Sequence, residues 1–286
     1  MSPITYRHTP AGPLPRALRP QPGRCLVMGV LNATPNSFSD GGLYDSLDAA
    51  LSHAHEMLAA GADIIDVGGQ STRPGAEDVT PEQEWQRIGQ VVTQLAAEGV
   101  TVSVDTIHAQ TARRAAEAGA AIINDVSGSL ADPDMSAVIA DLPVAYICQH
   151  WRGNPQIMDT LTDYPAGVVT GVLDELAERL DTLVDAGVGT DRIILDPGLG
   201  FAKTHDQSWQ LLAGIDRFVA TGFPILIGAS RKRFLALAGG EDVLSRDPAT
   251  AAVTALSAAH GAWGVRVHDC APSAAAVRVA SLWKEH

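Results

Sequence analysis

Cysteine is nearly absent from this chain, aromatic side chains are few, and basic residues are outnumbered. Only three cysteines occur in 286 residues, at Cys25, Cys148 and Cys270, far apart and without CxxC spacing. That excludes a disulfide framework and gives no zinc signature; reduced thiols near strand ends are expected instead. Aromatics make up 5% of the chain, so a core built on large rings is excluded, and the abundance of Ala points to helices packed closely on small residues. Twenty basic against 33 acidic side chains leave a net charge of −13. A surface of that sign resists nonspecific association with nucleic acid or anionic lipid, although a few arginines in a cleft can still hold an anionic small molecule. No run of 18 apolar residues is present, so no membrane-spanning helix is expected. The opening 24 residues are Pro-rich and lack the apolar stretch of a secretory signal, which makes a cytoplasmic location the expectation. HExxH, GxxxxGK[ST] and a GxGxxG after the first apolar run are missing too, and no Ser-His-Asp or Cys-His order invites covalent catalysis.

What is there is an alternation. Short apolar runs at 25–32, 62–68, 100–105, 120–125, 143–148, 191–196, 223–228 and 263–268 predict eight strands. They are almost continuously apolar, as parallel strands covered on both faces must be. Helix-like stretches follow at 46–60, 81–98, 108–118, 133–140, 166–187, 207–220, 248–260 and 271–284. Four of them end in the same punctuation, AAGAD, EAGAA, DAGVG and AHGAW, where Gly takes the left-handed C-cap conformation. Asp45 or Ser46, Thr80 before Pro81, and Asp132 before Pro133 are the expected N-caps. Eight such units predict an α/β fold, a (β/α)8 TIM barrel over 24–286 in one domain, preceded by a flexible, loosely packed extension over 1–23.

Barrels of this kind do their chemistry at the C-terminal ends of the strands. Each predicted strand there delivers an amide or ionisable group: Asn32, Asp66, Asp105, Asn124-Asp125, Gln149-His150, Asp196, Ser230-Arg231-Lys232, and Arg266 with His268. Caps rarely account for eight such ends in succession, and buried polar groups need partners, which a ligand supplies. Asp105, Asn124, Asp196 and Lys232 suit a flat heterocycle bearing N–H and NH₂ donors, such as an aminopyrimidinone. Arg266 and His268 alternate on one strand and with Asn32 could hold a phosphate or diphosphate; the alternative is a salt-bridge network closing the barrel top. Two long loops, 33–45 around Phe38 and 68–80 around Thr72-Arg73-Pro74, have the composition of lids that exclude water.

In order along the chain, GVLNATPNSFSDGG (29–42), DVGGQSTRPGA (66–76), SVDT (103–106), INDVSG (123–128), HWRG (150–153), DPGLGFAKT (196–204), GASRKRF (228–234) and VRVHD (265–269) resemble the dihydropteroate synthase family, in its actinobacterial form particularly. The resemblance covers nearly all of 25–285. It implies a pterin ring held by Asp105, Asn124, Asp196 and Lys232, with Phe201 and Arg266 lining the pocket. It implies a diphosphate near Asn32, Arg266 and His268, a Mg²⁺ ion on Asn32 and Asp40, and a 4-aminobenzoate subsite of Phe38, Thr72, Arg73, Pro74, Ser230 and Lys232. Catalysis would then rest on Asp40, Asp105, Lys232, Arg266 and His268, in a homodimer that joins pterin diphosphate to 4-aminobenzoate. Asn36, Gln70 and Gln149 depart from the family's usual Asp, Glu and Met. A catalytically weak pterin-binding paralogue and a methyltetrahydrofolate:corrinoid methyltransferase on the same scaffold are the competing readings. The SRK and RVHD stretches favour the synthase over both.

Overall fold

The computed structural model of the protein describes residues 7–21, 23–33, 43–70, 79–154 and 156–286. Its eight strands are β1 (Leu26–Asn32), β2 (Ile64–Gly68), β3 (Val102–Asp105), β4 (Ile122–Asp125), β5 (Ala145–Gln149), β6 (Ile193–Asp196), β7 (Leu226–Ile227) and β8 (Gly264–Val267). All pair in parallel in the order β6-β5-β4-β3-β2-β1-β8-β7. The sheet closes between β6 and β7 through a parallel bridge, Leu195 to Ile225, and the Leu195 amide donating to the Pro224 carbonyl at 2.9 Å. Closure leaves no strand edge unpaired.

Period-two alternation divides the apolar side chains cleanly. Leu26, Met28, Ile64, Ile122, Ala145, Ile147, Ile194 and Leu226 point inward and fill the lower barrel as one cluster. Their neighbours, Val27, Ile65, Val67, Val102, Val104, Ile123, Tyr146, Leu195, Ile227 and Val265, point outward and pack beneath the helices as a second. Continuing the inward parity up the strands leads from apolar residues to Asp66, Asn124, Gln149 and Asp196, and from Ser103 to Asp105 and Gly264 to Arg266, so the sequence pattern itself lifts the polar groups to the barrel's C-terminal mouth.

The outer layer comprises α1 (Leu43–Ala59), α2 (Pro81–Ala97), α3 (Ala109–Glu117), α4 (Met135–Asp141), α5 (Val168–Asp185), α6 (His205–Ala213), α7 (Ile215–Val219), α8 (Ala236–Gly239), α9 (Asp247–Ala259) and α10 (Cys270–Glu285). The four expected glycine stops at Gly61, Gly119, Gly187 and Gly261 all have positive φ, between 89° and 101°. Thr80 makes a full capping box with Gln83, as Thr204 does with Gln207 at the start of α6. Two expected caps are corrected. The first helix begins at Leu43, so Asp45 and Ser46 lie within it. Asp132 does not cap the helix that follows it; its carboxylate accepts from the Ala109 amide at 2.8 Å and so serves the N-terminus of α3. The single helix expected over 207–220 is broken at Gly214, where a side chain would meet Val169 of α5 at 2.9 Å.

The N-terminal extension stands outside the strand–helix repeat, yet its middle is not loosely packed. A turn of 3-10 helix at Arg16–Leu18 sets Leu14 and Leu18 under the barrel with the inward-facing core, and Trp263 Nε1 donates to the Leu18 carbonyl at 2.8 Å. Proline-rich composition suggested a tail; two leucines and one indole partner make part of it a plug. Leu18→Ala is expected to cost about 2–4 kcal/mol, as large-to-small changes in packed cores do, with turnover per folded molecule unchanged. Urea unfolding monitored by circular dichroism measures the first, and an unchanged midpoint would sink the assignment.

Candidate active site

At the mouth of the barrel one arginine organises three strands. Arg266 on β8 reaches across the interior, Nε donating to Asp66 Oδ2 on β2 and its terminal nitrogen to Asp105 Oδ2 on β3, each at 2.6 Å. The same Asp66 oxygen accepts from Asn124 Nδ2 on β4 at 3.2 Å. Asp66 is completely buried, and its other oxygen, Oδ1, has no partner; nor does Ser103 Oγ, which faces inward at the paired position on β3. Unsatisfied buried acceptors are costly, which makes this floor a place for a ligand's N–H groups or bound water. Burial raises the Asp105 carboxyl to about 7; Arg266 opposes the rise, and Asp66 adds to it. Burial also works against the Arg266 charge, but Asp66 and Asp105 prevail and hold its pKa above the ordinary value.

The opposite wall comes from β6 and the turn after β7. Asp196 accepts from the Gly198 amide at 2.7 Å, and burial lifts its carboxyl above the usual range against the pull of Lys232, the same amide and Arg266. Lys232 Nζ donates to the Leu199 carbonyl at 2.5 Å and lies 4.7 Å from the centre of the Phe201 ring. Burial, opposed by Asp196 and aided by Arg266, brings its pKa down to about 8. What turns Lys232 inward is its neighbour. Arg231 has φ +59° and a two-pronged ion pair with Asp247 at the start of α9, at 2.7 and 2.8 Å, which anchors the turn from outside.

Gly228, at the same end of β7, leaves room between the pair: a methyl there would sit 3.6 Å from Asp196 Oδ2 and 3.8 Å from Lys232 Nζ. Those are ordinary contacts, so Gly228→Ala is expected to fold. It should weaken binding of the pterin that the resemblance implies by about 1–3 kcal/mol, the usual penalty for an extra methyl group in a filled site. Titration of a pterin with the purified variant checks this, and wild-type affinity would contradict it.

The remaining expected residues divide into two groups. His268, one residue beyond β8, pairs through Nδ1 with Ser230 Oγ at 3.0 Å, and its amide donates to the same oxygen at 3.1 Å. Asn32 ends β1 exposed, beside Asp105 across the gap left by Gly68: a methyl on Gly68 would lie 3.5 Å from Asp105 Cβ and 3.9 Å from Asn32 Oδ1. Phe38, Asp40, Thr72, Arg73 and Pro74, and the departure Asn36, lie outside the described residues. Gln149 is buried, with Nε2 donating to the Val126 carbonyl at 3.3 Å, and faces inward at the position paired with Asp196. Nothing in the structure explains the change at Gln70.

Asp66 was not among the expected binding residues, and it is the group on which Arg266 and Asn124 converge. Its place near the C-terminal end of β2 marked it as one of the polar strand-end groups, but no binding role was expected of it. Asp125, by contrast, faces outward and is structural: it accepts from the Ser127 amide and hydroxyl, the Ser129 amide and Tyr146 Oη, all between 2.6 and 2.9 Å.

Residues 28–268 match the family described as pterin binding enzyme. The chain is 49% identical over 267 residues to the dihydropteroate synthase of Mycobacterium leprae, covering 90% of this chain and 93% of that one. Its fold superimposes on the Yersinia pestis dihydropteroate synthase solved with a sulfonamide drug, with TM-score 0.88 and 35% identity over 95% of this chain and 98% of that one. It likewise matches the Xanthomonas albilineans enzyme in complex with 7,8-dihydropteroate, with TM-score 0.82 and 35% identity over 92% and 95% of the two chains. With a closed eight-stranded barrel, buried carboxylates at its C-terminal mouth and these relatives together, the chain belongs to the dihydropteroate synthase family of pterin-binding enzymes.

Proposed function

We propose that this chain condenses 6-hydroxymethyl-7,8-dihydropterin diphosphate with 4-aminobenzoate, giving 7,8-dihydropteroate and diphosphate, a step of folate biosynthesis. The observation that carries the reading is the buried constellation of Asp66, Asp105, Asn124 and Arg266, set with Asp196 and Lys232 at one mouth of the barrel. It offers acceptors to the donor edge of a pterin and cations to an anionic leaving group.

In the reaction the bond between the pterin methylene and the diphosphate oxygen breaks, and a bond to the aniline nitrogen forms; the nitrogen then gives up a proton. Asp105, Asn124 and Asp196 take the N–H and NH₂ groups of the ring, favouring the electron-rich pterin that supports positive charge at the methylene. Phe201 lies along the ring, and Lys232 spans the pterin and 4-aminobenzoate subsites. Arg266 and His268 receive charge as diphosphate departs, and Phe38, Thr72, Arg73, Pro74 and Ser230 seat the aminobenzoate. The loops at 33–45 and 68–80 keep water from competing with the aniline.

The donor set fits Mg²⁺: the Asn32 amide oxygen and the Asp40 carboxylate are hard oxygen ligands, and this ion commonly takes only one or two protein ligands beside substrate phosphates. When bound, Mg²⁺ supplies Lewis-acid neutralisation of the leaving diphosphate.

The chain acts in the cytoplasm as a homodimer. Among the described residues no helix is long and apolar enough to cross a membrane. Leu256 on α9 and Val279, Leu282 and Trp283 on α10 are all more than half exposed, Trp283 at 81%, an apolar face that a second copy would cover. Trp283→Glu should shift sedimentation from dimer towards monomer; a monomeric wild-type chain would remove the proposal.

Production of dihydropteroate from the two substrates, with Mg²⁺ and after chelation, tests the function. Mg²⁺-dependent turnover is expected. Pterin binding without turnover would instead identify a noncatalytic paralogue.

A further inference from the structure

Two stretches singled out in the sequence, HWRG after β5 and the Lys203 end of DPGLGFAKT, take no part in that chemistry. They nevertheless form a closed circuit of contacts around the loop 197–203 that carries Phe201. This loop has positive φ at Gly198, Gly200 and Ala202, so regular backbone pairing cannot hold it. Side chains hold it instead. Leu199 O accepts from Lys232 Nζ at 2.5 Å, Phe201 O from Lys203 Nζ at 2.8 Å and Ala202 O from Tyr164 Oη at 3.1 Å, while the Gly200 amide donates to Ser208 Oγ at 3.2 Å.

From Lys203 the circuit continues outward. Its Nζ lies 2.9 Å from His150 Nδ1. Glu175 is held ionised and its carboxylate can only accept, so Nε2–H donates to Glu175 Oε2 at 3.0 Å, and the Nδ1 of the neutral ring is left to accept from Lys203. Glu175 on α5 takes Arg152 through both oxygens, from Nε at 3.0 Å and from the terminal nitrogen at 2.5 Å. The Arg152 guanidinium lies 3.7 Å from the centre of the Tyr164 ring, whose hydroxyl returns to the loop at Ala202. His150 also fixes the loop's first residues through its backbone. Its amide donates to the Asp196 carbonyl at 2.9 Å, and its carbonyl packs so close to Gly198 that a Cβ there would collide with it.

His150 and Lys203 are both almost fully buried, and burial, aided by Lys232 and opposed by Asp196 and Glu175, pushes the Lys203 pKa well below the ordinary lysine range. Burial and the Lys203 charge lower the imidazole to about 4, against the hydrogen bond it donates to Glu175, so His150 stays neutral with one tautomer fixed. Burial opposes ionisation of Glu175, but its bonds to His150 and Arg152 prevail and hold it at about 2. The ring therefore passes on a hydrogen bond of defined direction, acceptor towards the loop and donor towards α5.

The geometry points to His150 and Lys203 as positioning residues for the pterin, fixing the loop 197–203 so that Phe201 and Lys232 meet the ring in register. This rests on the proposed function, because the ring is the substrate named there. Phe201 and Lys232 share one surface, and the loop's carbonyls hold both, so a loop displaced by a fraction of an ångström misplaces the stacking face and the cation together.

Three variants of the full-length chain test it: His150→Leu, which can neither accept nor donate; His150→Gln, whose amide oxygen can accept from Lys203 while its nitrogen donates to Glu175; and Lys203→Met. In steady-state assays His150→Leu and Lys203→Met are expected to raise KM for the pterin diphosphate on the order of ten-fold, with KM for 4-aminobenzoate changing less than about two-fold. His150→Gln should restore most of the pterin affinity, which a merely structural role for the residue would not require. Equal pterin KM for the Leu and Gln variants, with changes only in melting temperature, would overturn the assignment. Amide hydrogen exchange over 198–203 provides an independent readout. Faster exchange in the Leu and Met variants but not in Gln supports the clamp, and equal protection in all three refutes it. Should the wild-type chain itself form no dihydropteroate, the functional reading falls, and the exchange data still decide the clamp.

Discussion

Arg266→Ala is expected to lower kcat about 10²–10³-fold, the usual effect of removing one preorganised group that meets developing charge. It should also destabilise the fold by about 3–5 kcal/mol, because a buried carboxylate is left without its partner. Both follow from the pair of 2.6 Å contacts through which one guanidinium holds Asp66 and Asp105. Without it, Asp66 keeps only the longer bond from Asn124, and Asp105 loses the cation that opposes its rise towards neutral pH. Arg266→Lys should recover little, since a single ammonium cannot reproduce a fork between two carboxylates on different strands. The two effects separate in a triple variant, Asp66→Asn and Asp105→Asn with Arg266→Met, which removes the charge and both its counter-charges together. Stability should largely return, and activity should not. Urea unfolding alongside steady-state kinetics reads both, and a stable, active Arg266→Ala chain would refute the assigned role.

That arginine also shows where sequence reading succeeds and where it stops. Its inward direction followed from parity on an apolar strand, and so did those of Asp105, Asn124 and Asp196; for the last two, Ile122 and Ile194 at the alternate positions fill the lower barrel. The alternative first considered for Arg266, a salt-bridge network at the barrel top, is what the structure shows, and one of its two carboxylates, Asp105, is a residue proposed to hold the pterin. Asp66 was singled out only as a polar group near a strand end and given no binding role, because its importance arises only when β8 is brought across from β2, 200 residues away. The circuit through His150, Glu175, Arg152, Tyr164 and Lys203 was hidden for the same reason, since its members come from two connections and a helix that local periodicity cannot align. Errors at helix starts were local in kind. Asp132 has the side chain of a cap, but a neighbouring helix supplied the nearer amide. In the extension, composition described the prolines and missed that Leu14 and Leu18 complete a core whose other members lie on six strands.

Lys232→Met should lower kcat/KM for the pterin substrate about 10²–10³-fold and change the shape of the pH profile, which the loss of a merely structural lysine would not do. In the free enzyme Asp105 is raised by burial to about 7 and Lys232 is lowered by burial to about 8. Asp105 must be ionised to accept the ring's N–H groups, so kcat/KM rises as pH passes about 7. Lys232 must be protonated to meet the substrates as a cation, so kcat/KM falls as pH passes about 8. The expected wild-type profile is therefore a narrow bell, and because kcat/KM reports the free enzyme its limbs belong to these groups before substrate arrives. Lys232→Met should keep the rising limb and lose the falling one; Asp105→Asn should do the reverse. Measured from about pH 5.5 to 9.5, a falling limb that survives in Lys232→Met would assign it to another group. Lys232 would then be left as a support for the Leu199 carbonyl rather than a cation in the reaction.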